Sequence, residues 1–157
     1  MIICKADKKH IKIVTDITHN TIETVYPHYY SAGAVDFFLK HHNKDEIMND
    51  IISGYVYLLI SDNSDTVGTV TIKGNEINRL FVLPCYQRMG FGRSLLDFAE
   101  KIIFENFDKI IISASLPAKS MYLKRGYTET SFNTIAVENG DFLCYDEMKK
   151  YKTTKEY

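Results

Sequence analysis

Cysteine is scarce, and the cysteines present do not organise. Cys4, Cys85 and Cys144 are odd in number and far apart. There is no Cys-x-x-Cys pair and no Cys/His ligand spacing, so neither a disulfide framework nor a structural zinc site is expected. His41-His42 lacks an obvious set of further metal ligands and reads as a solvated helix end. No metal is therefore expected, and Cys85 reads as structural or incidental because no histidine stands near it in sequence to activate a thiolate. No apolar run approaches ~20 residues, so no membrane span is expected. The opening MIICKADKKH also lacks the long apolar stretch of a secretion signal. Charge of one sign is missing too: with a net charge of -1, no global field would recruit nucleic acid or an anionic membrane. Any anion site must be local, and the expected setting is a reduced cytoplasm.

The chain has 157 residues, of which 45% are hydrophobic, enough for one packed domain. We place that domain at residues 1–150, followed by a polar tail, 151–157, that reads YKTTKEY. MIICKA reads as an opening strand, and Asp7 suits the cap of a helix running toward Val25, with Pro27 as its stop. AVDFFLKHH is a second helix, and KDEIMNDII fits a third. YVYLLISD and TVGTVTIKG form a hairpin pair of strands, and EINRLFV is a strand ending before Pro84. GFGRSLLDFAEKIIFENF keeps helical spacing through Leu95, Leu96, Ala99, Ile102, Ile103 and Phe107. KIIISAS is a buried-type strand, and LPAKSMYLKR is a helix with Ser115 as a cap and Gly126 as its stop. Two strands around Asn139-Gly140 close the chain. The class is α/β, with a mixed sheet flanked by helices.

The stretch CYQRMGFGRSLLDF puts Gly90 and Gly92 at the mouth of a helix, between Arg88 and Arg93. Free N–H groups at a helix start, with the helix dipole, form an anion site. Glycines let a phosphate approach the main chain, and arginines add charge-assisted bonds. Gln87, Arg88, Met89, Gly90, Phe91, Gly92 and Arg93 are thus candidates for a phosphate or pyrophosphate cradle. A Walker loop is excluded because no Gly-Lys-Ser/Thr follows. A dinucleotide fingerprint is excluded because Leu95 stands at its third glycine position and the acidic residue of a second strand is missing.

Gln87-Arg88-Met89-Gly90-Phe91-Gly92 resembles the acetyl-coenzyme A motif Q/R-x-x-G-x-G/A of the GNAT superfamily of N-acetyltransferases. AKSMYLKRGY resembles the family's second signature, A-x-x-x-Y-x-x-x-G-F/Y, at Ala118, Tyr122, Gly126 and Tyr127. The order of elements agrees along nearly the whole chain. One departure is Ser115, where the family often has Asn before the tyrosine; it implies altered cofactor contacts.

The resemblance implies transfer of acetyl from acetyl-CoA to a primary amine, by direct attack with both substrates bound. It implies that Tyr122 is the acid for the departing thiolate and that Glu76 is the base, acting through water. Phe81 and Val82 would pair through their backbones with the extended pantetheine arm, and a Val82 N–H would face the thioester oxygen. Ser115 would touch cofactor. The acceptor would sit against the segment between the first helices, where His28, Tyr29 and Tyr30 are candidates for binding it, while Phe37 and Phe38 read as core. That acceptor is a small-molecule or protein amine, not nucleic acid, and the family also favours a homodimer through its C-terminal strands. Two rival readings stay open: a non-catalytic acyl-CoA sensor, and a phosphate- or nucleotide-binding interaction domain.

Overall fold

Local capping sets the first elements. Asp7 accepts from the Lys9 N–H, and its own N–H donates to His10 Nδ1, which closes a capping box. After one 3₁₀ turn the chain becomes helix α1 (Ile11–Val25). Pro27 lies in a second 3₁₀ turn, so α1 ends where the sequence places its stop. Ser31 caps α2 (Ala32–His41), and Asn43 caps α3 (Lys44–Ile52) by accepting from both Asp45 and Glu46 N–H. The third helix that the sequence allowed is therefore present.

The computed structural model describes residues 1–153; the end of the polar tail, 154–157, lies outside them. Strands β1 (Ile2–Lys5), β2 (Val56–Ile60), β3 (Thr66–Lys73), β4 (Glu76–Val82), β5 (Lys109–Ser115), β6 (Thr128–Ala136) and β7 (Phe142–Tyr151) form one sheet of order β1-β2-β3-β4-β5-β7-β6. All neighbours pair antiparallel except β4 and β5, which are parallel. Helix α4 (Phe91–Asn106) joins that parallel pair, and α5 (Leu116–Lys124) leads from β5 to β6. The β6–β7 hairpin turns at Asn139 and Gly140, both at positive φ, as the Asn-Gly signal requires.

Adjacent strand residues point to opposite faces, and the two faces carry different helices. Leu59 and Val82 pack with Leu95, Leu96, Ala99 and Ile103 of α4. Their neighbours Leu58 and Phe81 face the other way, Leu58 toward α1 and α3, and Phe81 toward α1 and α2. One position on the core side of α4 is not apolar. Glu100 is buried and accepts from Arg125 Nε at 3.2 Å, Tyr127 Oη at 3.1 Å and Lys150 Nζ at 2.9 Å, which satisfies a charge that burial would otherwise make costly.

Candidate active site

The site begins with a parallel pair that stays together only briefly. β4 meets β5 at Glu76↔Ile111 and Ile77↔Ile112, and then the strands part. From Asn78 to Val82, β4 keeps β3 on one side and has no strand on the other. A bulge sits in this open stretch: Thr69 faces Phe81 and Thr71 faces Asn78, so Val70 alone opposes Arg79 and Leu80. Arg79 absorbs the extra residue at φ 42. Gly68 is required nearby, because a Cβ there would meet Leu95 Cδ1 at 2.9 Å and the Phe81 carbonyl at 3.0 Å.

Between the parted strands lies a cleft of about 290 Å³, walled by Phe37, Phe38, His41 and His42 of α2 and its end, by Asn78–Phe81, and by Ser115, Ala118 and Tyr122. Tyr122 is 4% exposed, and burial raises its phenol well above the usual range. Tyr26 Oη donates to Ser115 Oγ at 3.2 Å, and burial pushes Tyr26 up to about 12. Three hydroxyls thus gather on one wall of the cleft, all protonated near neutral pH. Ser115 stands at the cap position of α5, but its side chain makes no capping bond. That duty falls to Tyr30, whose hydroxyl accepts from the Leu116 N–H at 2.7 Å and donates to the Cys144 carbonyl at 3.1 Å.

At the mouth of the open stretch, Gln87 Nε2 donates to the Val82 carbonyl at 3.0 Å, and Thr21 Oγ1, which donates to the Ile17 carbonyl at 2.8 Å, lies 3.3 Å from the Val82 oxygen. The glutamine side chain therefore ties the turn to the strand end. Arg88 and Gly90 take positive φ, 63 and 91, and Gly90 caps α4. No heavy atom lies within 4 Å of where a Gly90 Cβ would be. At Gly92 a Cβ would make only ordinary contacts, 3.8 Å to Met121 Sδ and 3.9 Å to Val82 Cγ2. Protein neighbours thus do not demand a glycine at 92. Arg88, Met89 and Arg93 are exposed around the turn, and Phe91 is half-buried against Tyr86. Arg93 also faces a surface groove between α4 and α5 with Ser120 and Lys124.

Several expectations fail on placement. Glu76 sits at the closed end of the pair, exposed, opposite Lys73, and outside the cleft lining. The structure therefore does not bring Glu76 together with Tyr122 in the cleft lining. Tyr29 and His28 are exposed and also outside the lining. Tyr30 spends its hydroxyl on structure. His42, expected as a solvated helix end, instead turns inward against Phe81 at 6.0 Å between ring centroids. Burial first, and then Arg79, His41, His19 and Lys73, lower its pKa to about 3. Phe37 and Phe38, expected as core, line the cleft as well. Among the described residues lining the cleft there is no aspartate or glutamate, and no metal-binding cluster occurs among the described residues. No helix there is long and apolar enough to cross a membrane.

A parallel pair that splays beside an open strand edge, with a glycine turn at its mouth, leaves main-chain groups and a helix start facing open space. Residues 25–151 match the acetyltransferase (GNAT) domain model, and the chain belongs to that family. It is similar to two archaeal proteins named tRNA uridine(34) acetyltransferase. The one from Methanocaldococcus jannaschii is 28% identical over 73% of this chain, and the one from Methanocaldococcus infernus is 27% identical over 77%. The matched part spans only 23% and 22% of their lengths. Among solved structures, a GCN5-related N-acetyltransferase from Rhodopseudomonas palustris superposes with TM-score 0.87 at 21% identity, covering 96% of this chain and 95% of that one. The PaiA N-acetyltransferase of Thermoplasma acidophilum, solved with coenzyme A, gives 0.70 at 19%, covering 96% and 98%. These structures share the fold, including the mixed sheet expected from the sequence.

Proposed function

We propose that the chain transfers an acetyl group from acetyl-CoA to a small primary amine, with both held in the cleft at once. The observation that carries this reading is the open stretch of β4, which runs from Tyr122 and Ser115 to a glycine turn whose bare backbone faces open space. The donor set fits acetyl-CoA. The main-chain edge of Phe81 and Val82 suits an extended amide-bearing arm. The N–H groups at the start of α4, with Arg88 and Arg93, suit a pyrophosphate. Gly92 leaves the room that a close phosphate needs, and Arg93 with Lys124 suits a further phosphate.

Bound there, acetyl-CoA supplies an acetyl group activated as a thioester. With acetyl-CoA bound, Tyr122 would supply its Oη proton to the departing sulfur and take back the proton that the amine nitrogen sheds as the amide forms, and its raised pKa keeps the phenol protonated through neutral pH. Ser115 and Tyr26 hold the neighbouring hydroxyl network. The acceptor must arrive without its proton. A lining free of carboxylates and bordered by Arg79 and Lys73 disfavours an ammonium, so the amine binds in its neutral form and no strong base is required. The tRNA acceptor named for the archaeal relatives is not extended to this chain. Its net charge is -1, and those proteins are several times longer. Pairing of two exposed β6 edges, where Phe132 is 63% exposed, belongs to the same reading as a homodimer, and sedimentation at several concentrations tests it.

Thermal unfolding with acetyl-CoA, coenzyme A and ATP tests the cofactor. Saturation at about 100 times Kd adds ~2.7 kcal/mol, a shift of several degrees. Stabilisation by both coenzyme A forms and not by ATP is expected. No shift with either ends the acetyltransferase reading, and an equal shift with ATP supports nucleotide binding instead.

A further inference from the structure

The cleft shares a wall with a second, more polar cavity of about 370 Å³. His41, His42, Asn78 and Arg79 line both, and Lys73 and Glu46 lie on the far side. Resting on the acetyltransferase reading, we infer that the acceptor is an amine bearing a carboxylate, of the apolar amino-acid class, with its carboxylate held by the Arg79 guanidinium and the Asn78 side-chain amide.

The charges require it first. Asp50 lies on the inner face of α3, with its side chain 7% exposed. It pairs with the Arg79 guanidinium, itself 6% exposed, and with Lys73 Nζ at 2.7 Å. Two cations thus share one buried carboxylate, so one positive charge at the shared wall has no buried counterpart. Glu46 acts on Arg79 through space from the rim of the second cavity, but it is exposed, and water screens it. Lys40 on the same side is already matched by Asp36 and Glu138. A single carboxylate restores balance, whereas a doubly charged phosphate would overshoot it.

Unmet hydrogen bonds point the same way. Asn78 Nδ2 is buried and has no partner among the described residues, and neither has His42 Nδ1. A buried donor without an acceptor loses its bond to water and gains none in return, and a ligand oxygen at the shared wall relieves it. Arg79 is aimed by the bulge at φ 42, a conformation that a non-glycine residue holds only under constraint. Its Nε is engaged by Thr71 Oγ1 at 3.4 Å, which fixes the guanidinium plane and leaves N–H groups for a carboxylate. The remaining walls are aromatic, with Phe37, Phe38 and Phe81, and they suit an apolar side chain.

Steady-state acetylation of apolar free amino acids tests this beside their α-amides, the decarboxylated amines and the matching aminophosphonates. Rates are compared at equal neutral-amine fraction, because losing the carboxylate charge shifts the amine pKa. The free acids are expected to exceed their amides by at least about tenfold in kcat/KM, mostly through KM. Asn78→Leu should raise KM for acids about tenfold and for amides by less, because the bond lost to a neutral carbonyl is weaker. Lys73→Met, which removes the surplus charge from a partly exposed position, should shrink the acid preference without unfolding the chain. Amides or decarboxylated amines equal to the acids overturn the inference, as does turnover of no acid at all while coenzyme A still stabilises the fold. Aminophosphonates outrunning acids overturn the carboxylate assignment. Failure of coenzyme A to stabilise the protein is a different result, and it removes the acetyltransferase reading itself.

Discussion

Residues 84–93 and residues 26–42 flank the same open stretch of β4 and are built from different parts of the chain's chemistry. The first offers main chain: a 3₁₀ turn, two residues at positive φ, and the free N–H groups of a helix start. The second offers side chains: Tyr26, Phe37, Phe38, His41 and His42, delivered by a helix end and two caps. Main-chain sites bind what every substrate of a class shares, here an extended arm and phosphates. Side-chain sites bind what differs between acceptors. One wall of the cleft can therefore persist through a family while the other is rebuilt for each member.

The largest expected effect lies where the two regions meet. Tyr122→Phe should lower kcat about 10²-fold or more while leaving coenzyme A affinity nearly intact, as read by single-turnover acetylation and calorimetry. An unchanged kcat would move the proton donor to Tyr26, the neighbouring hydroxyl. Next comes Gly92→Ala, which separates fold from ligand. Its Cβ meets nothing closer than 3.8 Å, so Tm should hold, yet coenzyme A affinity should drop by roughly tenfold, about 1.4 kcal/mol. Tm and affinity falling together would make Gly92 a packing glycine.

Tyr30→Phe probes the other region. It strands the Leu116 N–H and costs about 2 kcal/mol, a fall of roughly 5 °C in Tm, with acetylation kinetics little changed below the melting range. A selective rise in acceptor KM would instead return Tyr30 to the substrate. His42 sharpens the contrast through pH. Its pKa falls from 6.5 to about 3 on folding, so between those values the unfolded chain holds a proton that the folded chain refuses. Its contribution to stability is full above about pH 6.5 and declines as pH drops toward 3. Denaturant titrations across that range should show a flatter decline in His42→Phe than in the parent chain.

The backbone wall was legible in the sequence because its signals are local. Gly90 and Gly92 at fixed spacing, a strand before them and an amphipathic helix after them mark the turn without any knowledge of tertiary contacts. Elements were legible for the same reason, since Asp7 and Asn139-Gly140 act within a few residues of themselves. The side-chain wall was not, because distance in sequence hides its pairings. Asp50 looks like a surface acid until α3 turns it toward Arg79, and Arg79 looks like an ordinary strand residue until a bulge re-aims it. His42 carries no sign that it will fold back over Phe81. One signal was available: Ile47, Asp50 and Ile51 share one face of α3, and a charge on an apolar stripe asks for a buried partner.

Glu76 gives the smallest expected effect and the sharpest comparison along a single strand. It lies two residues before Asn78, on the same strand, yet it belongs to the half of β4 that β5 covers. Pairing with Ile111 fixes that end of the strand and leaves the carboxylate in solvent, so it cannot follow the strands as they part. Glu76→Gln should therefore keep the parent pH–rate profile, in which kcat/KM rises about tenfold per pH unit until the acceptor's own amine pKa is reached. That slope reports only the neutral fraction of the amine. A mutant that instead loses rate selectively at acid pH would show that water links Glu76 to the cleft. A carboxylate at the closed end of the pair would then be supplying what the aromatic wall lacks.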